Sequence, residues 1–452
     1  MKPAFLIVAV CVLLPVGYGQ ENESGSKEFE EIKGTLEGMN ESFSEYRTVV
    51  DALRKIKVSG YIQSQFRITD LKGTTSPFSG GAFPTNTNKL FQVRRGRLKV
   101  TYDNVLTQYV LQIDAIQAGV TLKDAYVSVT EPWTQSVGFQ MGVFDRPFGY
   151  EISYSSSSRE SPERSRLFQT LFPGERELGA KLFYAPQIGT LSFLRADVGI
   201  FNGSGSAANE FDNFKDVIGH VAAQFPFENA GAELDLGVSG YFGNMRNGTK
   251  YLWENGSPSS GLKGFVVDSV ATNLGDGVER SYLGADAQLY YDLPVLGGTT
   301  LRGEFISGTQ PGASTATTPP GSAGSSLTTT SPTAHPTGPI YMRDFSGWYV
   351  YLVQNLGAKN QVVVKYDVYD PNTNVEATDF MTGANLSAAD IKYSTLGLGF
   401  IHHWDEFVKF VFYHEFVSNE KINSAASSIS SIAPFVGDVR DNVFTFRTQV
   451  KF

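Results

Sequence analysis

From residue 56 to the end of the chain, apolar and polar side chains alternate with a period of two. This is the spacing of a strand that has one apolar and one polar face. In the segment 136–144 the apolar positions are Val137, Phe139, Met141 and Val143. The segments with this pattern number about sixteen: 56–68, 90–102, 106–116, 120–130, 136–144, 176–185, 189–201, 216–226, 232–243, 280–292, 299–308, 345–355, 359–369, 391–402, 407–417 and 440–452.

The connections between these segments differ in length according to their place in the series. Those after even-numbered segments are all short, and those after odd-numbered segments are mostly long, with 117–119 as the exception. Transmembrane barrels have short periplasmic turns and long external loops. The pattern therefore predicts an all-β fold, a transmembrane antiparallel β-barrel of about 16 strands whose closed ring leaves no edge in lipid. The stretch 309–344, rich in Ser, Thr, Pro and Gly, predicts a mobile external loop.

Residues 27–55 have a helical period instead. Two apolar series recur every seven residues, namely Phe29, Leu36, Phe43 and Val50, and Ile32, Met39, Tyr46 and Leu53. Their alternating spacing of three and four is that of a coiled coil. One helix cannot bury this seam alone, so we expect it to pair with copies of itself. Packing as a single amphipathic helix on its own chain is the alternative, and Gly34 and Gly38 weaken the helix.

The first residues have the layout of a secretory signal peptide. Lys2 precedes an apolar run, and Gly17 and Gly19 lie before a cleavage point near Gln20. Cys11, the single cysteine, lies within this run and does not fit a lipoprotein site, so no disulfide is expected. We expect three parts: 1–19, a signal peptide for export across the inner membrane; 20–55, a periplasmic coiled-coil segment; and 56–452, a barrel in the outer membrane, in contact with its lipid.

Charge and motifs exclude several classes of function. Removing Lys2 with the signal peptide leaves 36 basic and 46 acidic residues, a formal net charge of −10, which gives no reason to expect nucleic-acid binding. The sequence contains no P-loop and no G-x-S-x-G motif. Asp370, Asn372 and Asn374 have calcium-loop spacing but lack the required Gly and Glu, so a polar turn is expected. We therefore expect no enzyme activity, no catalytic residues, no cofactor and no metal.

Several segments are similar to a known family. They are FQVRRGRLKV (91–100), LKDAYVSV (122–129), GFQMGVFDRPFGYE (138–151), GWYVYLV (347–353), VVKYDVYDP (363–371) and TLGLGF (395–400). In this order they resemble the phosphate-selective porin O and P family of bacterial outer membranes. The resemblance implies a sixteen-stranded trimeric barrel for passive diffusion of anions. The terminal TFRTQVKF resembles the signal that the barrel-assembly machinery reads, with Phe452 as its last residue.

A selective pore needs charges that face its water-filled lumen. The alternation places Arg95, Arg97 and Lys99 on one face of the second segment, whereas Arg94 falls on the apolar phase and needs a bulge to turn inward. These arginines either select anions or brace the wall by pairing with acidic residues of the loop 145–175. In porins of this kind that loop commonly folds into the barrel, and an ordinary external loop is the alternative. It carries Arg159, Arg164 and Arg166. Further candidate lumen bases are Arg67, Lys181, Arg195, Lys365, Arg447 and Lys451.

The leading hypothesis is a trimeric outer-membrane porin for small anions, with phosphate or polyphosphate as the main candidates. The acidic loop residues and the negative net charge speak against a strict phosphate preference. The first alternative is a general porin for small hydrophilic solutes with little selectivity. An outer-membrane enzyme, or a barrel used for adhesion or envelope spacing, is a further alternative that the sequence does not support with any motif.

Overall fold

A computed structural model describes residues 23–74, 78, 80–206, 210–259, 261–318 and 336–452 of the chain. The predicted signal peptide, 1–19, lies outside the described residues, as does 319–335 in the predicted external loop. The chain divides into two units, of which the second is 57–452. Among the described helices, none has the length and apolar character required to cross a membrane.

The first element is the helix α1 (Glu23–Arg54), which confirms the predicted N-terminal helix. The heptad side chains from Ile32 to Leu53 are exposed, with Leu36 at 64%, Phe43 at 71% and Leu53 at 59%. A single helix cannot bury its own apolar stripe, so these side chains require a second surface to pack against. The coiled-coil interpretation of this seam stays a prediction.

The described part of the second unit contains one short helix, α2 (Arg166–Leu171), and eighteen strands. The strands are β1 (Ile56–Thr69), β2 (Lys89–Asn104), β3 (Thr107–Ile116), β4 (Gly119–Thr130), β5 (Val137–Asp145), β6 (Arg176–Tyr184), β7 (Leu194–Phe201), β8 (Asp216–Phe227), β9 (Ala232–Arg246), β10 (Leu252–Ser259), β11 (Leu262–Asp268), β12 (Gly277–Leu293), β13 (Gly297–Gly312), β14 (Ile340–Leu356), β15 (Asn360–Asp370), β16 (Tyr393–His403), β17 (Val408–Asn419) and β18 (Val443–Lys451).

Sixteen of these described strands close into one antiparallel ring. Each strand from β1 to β9 pairs with the next, β9 pairs with β12, the pairing continues to β18, and β18 pairs with β1. At the closure, Tyr61 lies opposite Lys451 and Thr69 opposite Val443. Gly60 is required at this point, because a Cβ there would lie 2.3 Å from the Arg97 carbonyl oxygen and 2.6 Å from the Phe452 ring. The predicted count of sixteen barrel strands is confirmed.

The remaining pair, β10 and β11, is a hairpin that the sequence analysis missed. It belongs to the connection 247–276 and pairs antiparallel within itself, while Leu252 and Trp253 also pair with the start of β14. The barrel strands on the long-loop side also exceed the predicted lengths. β13 and β14 reach Gly312 and Ile340, so they take up both ends of the stretch predicted as a loop over 309–344.

The burial of the strands is opposite to that of a water-soluble protein. On β1 the polar side chains of Gln63, Gln65 and Arg67 are buried towards the lumen, whereas Ile62 is 50% exposed on the outside. The same inversion holds elsewhere, as in Leu283 at 61% and Val238 at 61% exposed. An apolar outer belt over a polar interior is stable only in a lipid bilayer, where all backbone groups must be paired within the ring.

The two ends of the barrel differ as predicted. The seven turns at the end that carries Phe452 have two to nine residues, whereas seven of the eight connections at the other end have 14 to 30 residues. The link 117–118 is the single short connection at that end. We call these the short-turn end and the long-loop end. β2 runs from the long-loop end to the short-turn end, so Arg94 lies nearer the loops than Lys99 does.

Candidate functional site

The connection 146–175 folds into the barrel, as the sequence analysis expected, and we call it the inserted loop. Its backbone accepts hydrogen bonds from lumen side chains on one half of the wall. Arg447 donates to the Pro162 carbonyl at 2.8 Å, Gln449 to the Ser157 carbonyl at 2.8 Å, and Gln63 to the Ser156 carbonyl at 2.8 Å. Because these bonds involve β1 and β18, the inserted loop covers that side of the lumen.

A tight turn at Pro147–Gly149 anchors the start of the inserted loop. Gly149 has a φ of +61°, and a Cβ there would collide with the Glu304 carboxylate. The backbone N–H groups of Tyr150 and Glu151 both donate to that carboxylate, and the Gly149 N–H donates to Ser239 Oγ at 2.8 Å. Glycine supplies this left-handed conformation without a steric cost. The motif noted at 138–151 therefore fixes where the loop enters the lumen.

Glu163 of the inserted loop binds three arginines from the wall. Its two carboxylate oxygens accept from Arg94 Nε and Nη2 at 2.8 and 2.9 Å, from Arg95 Nη2 at 2.8 Å and from Arg447 Nη2 at 3.0 Å. Glu163, Arg95 and Arg447 are all nearly completely buried. We call these four residues the Glu163 cluster. The observed contacts of these arginines match the interpretation that they brace the wall by pairing with an acidic residue of the loop.

Arg94 enters this cluster without the bulge that the strand phase required. The pairing of β2 with β3 extends only as far as Arg97 opposite Asp114, so Arg94 lies beyond the paired region. No neighbouring strand flanks its side chain on that side, and the guanidinium reaches Glu163 with 29% of its side chain exposed. The short link 117–118, which makes the wall low here, allows this path.

A cavity lies between the inserted loop and the wall formed by β1 to β8, and we call it the passage. It measures about 380 Å³ and is lined on the loop side by 146–149 and 152–156. The wall side includes Lys99, Gln112, Tyr126, Lys181 and His220. A second cavity of about 230 Å³ lies towards the long-loop end, beside Arg94 and Arg95. Arg97 and Arg164 line both cavities, so they mark the boundary between them.

The lining of the larger cavity is more basic than acidic. Of the described residues that line it, six are basic, namely Arg97, Lys99, Arg146, Arg164, Arg176 and Lys181, and three are acidic, namely Asp124, Asp145 and Asp197. Five of the six have acidic partners. Examples are Arg97 with Asp114 at 3.3 Å and Lys181 with Asp197 at 2.6 Å.

Lys99 is the exception, since it makes no ion pair or hydrogen bond with another described residue. Its ammonium group faces the passage without a counter-charge on the protein. An unpaired cation in a wet lumen attracts anions and repels cations, whereas a paired cation contributes little field beyond its partner. Lys99 is therefore the best placed of the predicted residues to influence which ions pass.

The other predicted residues lie in different places. Arg195 projects near the short-turn end, where it donates to Gln224 at 3.3 Å. Arg159, within the inserted loop, is buried, and its three guanidinium nitrogens have no hydrogen-bond partner among the described residues. Arg166 lies on α2 and lines a separate cavity at the long-loop end. These three residues do not line the passage itself.

Lys123 is a lumen base that the sequence analysis missed. The pairing of β3 with β4 shifts between Gln112 opposite Asp124 and Ile113 opposite Leu122, so Lys123 is the extra residue of a β-bulge. A bulge changes the direction of a side chain. Lys123 reaches Glu175 of the inserted loop at 3.8 Å. Strict alternation assigns Lys123 to the outer face, and nothing in the sequence marks the bulge.

The calcium-like spacing forms a polar turn. The Asn372 N–H donates to Asp370 Oδ1 at 3.2 Å, and the Asn374 side chain donates to Asp344 at 2.7 Å. Within the described ranges, no group of three or more His, Cys, Asp or Glu side chains is arranged to hold a metal ion.

Comparison with solved structures shows the same architecture. OprB of Pseudomonas putida aligns with a TM-score of 0.52 at 10% sequence identity, covering 90% of this chain and 96% of that chain. The barrel has the porin fold. An anion-selective porin of Comamonas acidovorans aligns with a TM-score of 0.49 at 12% identity, covering 88% of this chain and 99% of that one. The outer-membrane channel DcaP of Acinetobacter baumannii aligns with a TM-score of 0.49 at 10% identity, covering 88% and 97%.

At these identities the porin fold is what the comparison establishes. No protein-family model matches the sequence, and no curated protein matches it. The resemblance to the phosphate-selective porin O and P family stays a prediction that depends on the sequence motifs.

Proposed function

We propose that this chain is an outer-membrane porin that lets small anions diffuse passively through its lumen. The observation that carries the proposal is the passage beside the inserted loop, where Lys99 faces the lumen without a counter-charge. The apolar outer belt supports a membrane location. The difference in loop length between the two ends of the barrel supports an outer-membrane orientation. Phosphate and polyphosphate are the first solutes to test.

A general porin with little selectivity is the second candidate, and a specific observation favours it. Glu163 offsets one of the three positive charges of Arg94, Arg95 and Arg447 at the mouth of the passage, and five of the six basic residues of the lining have acidic partners. A lumen in which almost every charge is paired presents a weak net field to a passing ion. The two candidate functions therefore differ in whether the unpaired charge of Lys99 changes the relative permeability of the pore to anions and cations.

The reversal potential of the purified protein in a planar bilayer with a KCl gradient separates these candidates. A charge about 5 Å from an ion in water-like surroundings is worth ~0.8 kcal/mol, attractive for chloride and repulsive for potassium, which together correspond to a roughly fifteenfold change in the chloride-to-potassium permeability ratio. We expect an anion-leaning potential for the wild type and a shift of this size towards zero for Lys99→Gln. Lys57→Gln, at an exposed pair with Asp103, is the matched control.

A neutral or cation-leaning wild type would refute anion selectivity and leave the general porin. Arg95→Ala and Arg97→Ala give a further comparison, because both arginines are paired with carboxylates. We expect them to change stability as well as selectivity, whereas Lys99→Gln changes selectivity alone. The absence of any conductance would instead favour an adhesion or spacer barrel.

We also propose a homotrimer whose α1 helices form a periplasmic coiled coil. The exposed seam of α1 supports this assembly, because three helices together can bury the heptad positions that one leaves in water. Phe452, which is 58% exposed and has its ring beside Gly60, is available as the terminal aromatic residue that the barrel-assembly machinery would bind. Crosslinking in intact membranes tests the first proposal, and deletion of Phe452 followed by measurement of assembled barrel tests the second.

A further inference from the structure

Arg166 has surroundings that neither the passage nor the Glu163 cluster explains. It is the first residue of α2, and only 6% of it is exposed. Its guanidinium lies against two aromatic rings, 4.2 Å from the centroid of Phe78 and 3.8 Å from that of Tyr393. It makes no ion pair and no side-chain hydrogen bond with another described residue, and its Nε is buried without a partner.

This guanidinium lines a cavity of about 350 Å³ at the long-loop end of the lumen, which we call the Arg166 pocket. The volume is in the range of small-molecule sites, roughly 300–1,000 Å³. The pocket is bounded by α2, by the segment 315–318 that follows β13 and by the connection 371–392. Its other principal lining residues are Thr170, Tyr369, Ile391, Tyr393 and Phe435.

The chemistry of the pocket favours an anion with an apolar part. A buried cation without a partner is costly, and a bound carboxylate or phosphate would remove that cost through two parallel hydrogen bonds. The two rings contact the guanidinium without accepting a conventional hydrogen bond from it, so its N–H groups remain available as donors. Asp441, Asp367 and Glu415 act on Arg166 electrostatically, but none of them forms an ion pair with it. The aromatic and aliphatic walls disfavour a fully hydrated inorganic ion.

We propose that the Arg166 pocket binds a small organic anion, a carboxylate or a phosphate monoester attached to an apolar body. The role of the pocket as an entry site for the passage rests on the proposed pore function, because that role names the class of solute that the pore would collect at its external mouth. Binding itself does not depend on conduction. The two can therefore be measured separately.

The test is calorimetric titration of the full-length, detergent-purified protein with benzoate, phenyl phosphate and inorganic phosphate. We expect benzoate and phenyl phosphate to bind, and inorganic phosphate to bind at least tenfold more weakly. Arg166→Gln should weaken binding of both organic anions by roughly tenfold or more, the usual scale of a lost charged hydrogen bond. Arg440→Gln, at an exposed arginine in the connection 420–442, is the matched control and should leave binding unchanged.

A second variant guards against misfolding of Arg166→Gln. Ala389 lines the pocket, so Ala389→Phe should fill the cavity and abolish binding while Arg166 stays in place. Strand content measured by circular dichroism should equal that of the wild type in both variants. Unchanged benzoate binding in both folded variants would overturn the proposal, as would equal affinity for inorganic phosphate. Binding without conductance would overturn the pore function alone, and conductance without binding would overturn the pocket alone.

Discussion

The Glu163 cluster gives the sharpest prediction about what holds the inserted loop in place. Glu163→Gln removes one negative charge and keeps the shape of the side chain. Three guanidinium groups, those of Arg94, Arg95 and Arg447, then lose their shared carboxylate, and the last two are almost fully buried. Removing one partner of a buried ion pair costs about 3–5 kcal/mol, because the remaining charge has no compensation.

We expect Glu163→Gln to lower the free energy of unfolding by that amount, measured by urea titration of the protein in detergent or lipid vesicles. Glu210→Gln is the matched control, since Glu210 pairs with Lys215 in an exposed loop at 3.1 Å. An exposed pair contributes only about 0–1 kcal/mol, so the control should unfold almost as the wild type does. Arg94→Gln, at the most exposed of the three arginines, should fall between the two.

The same substitution should raise the preference of the pore for anions, because it adds one net positive charge at the mouth of the passage. Stability and anion selectivity therefore change in opposite directions. The reversal potential in a KCl gradient measures the second effect. A Glu163→Gln barrel that loses less than about 1 kcal/mol and keeps its wild-type reversal potential would refute the view that Glu163 both braces the loop and offsets part of the positive charge of its arginines.

Three further predictions concern other parts of the chain. Burial raises the pKa of Asp441 to about 6, with Arg166 opposing the shift. The contribution of Asp441 to folding stability should therefore fall as pH rises from about 4 to about 6. Urea titrations at several pH values should show that Asp441→Asn abolishes this contribution. Asp390→Asn should cost about 3–5 kcal/mol in thermal unfolding, because Asp390 pairs with Arg343 at 2.7 Å and both side chains are fully buried. Leu36→Glu should dissociate the α1 assembly in crosslinking assays while leaving conductance intact, and an unchanged crosslink pattern would contradict the coiled coil.

Some of the site could be predicted from the sequence alone. Arg95, Arg97 and Lys99 face the lumen because strand alternation is a local property, in which each second side chain points to the same face. The insertion of 146–175 followed from a resemblance and from its charged residues. The sequence did not decide whether the arginines select anions or brace the wall, because that depends on which carboxylate meets which arginine.

That pairing is set by contacts between distant parts of the chain. Glu163 is 68 residues from Arg95 and 284 from Arg447, and the three meet only after the ring has closed and the loop has entered it. Lys123 shows a second limit, since its bulge depends on the register between β3 and β4. The hairpin of β10 and β11 shows a third, because its pairing with β14 lies outside the alternation of the barrel wall.

The sequence by itself determined the barrel: the number of strands, their inward and outward faces, and the difference between the two ends. It could do so because lipid on one side and water on the other impose a period of two on every strand independently. Only the tertiary structure decided which basic residues are neutralised, that Lys99 faces the passage unpaired, and that Arg166 is enclosed by aromatic rings. Those outcomes depend on the path of the loops through the lumen, and loop paths leave no periodic signal in the chain.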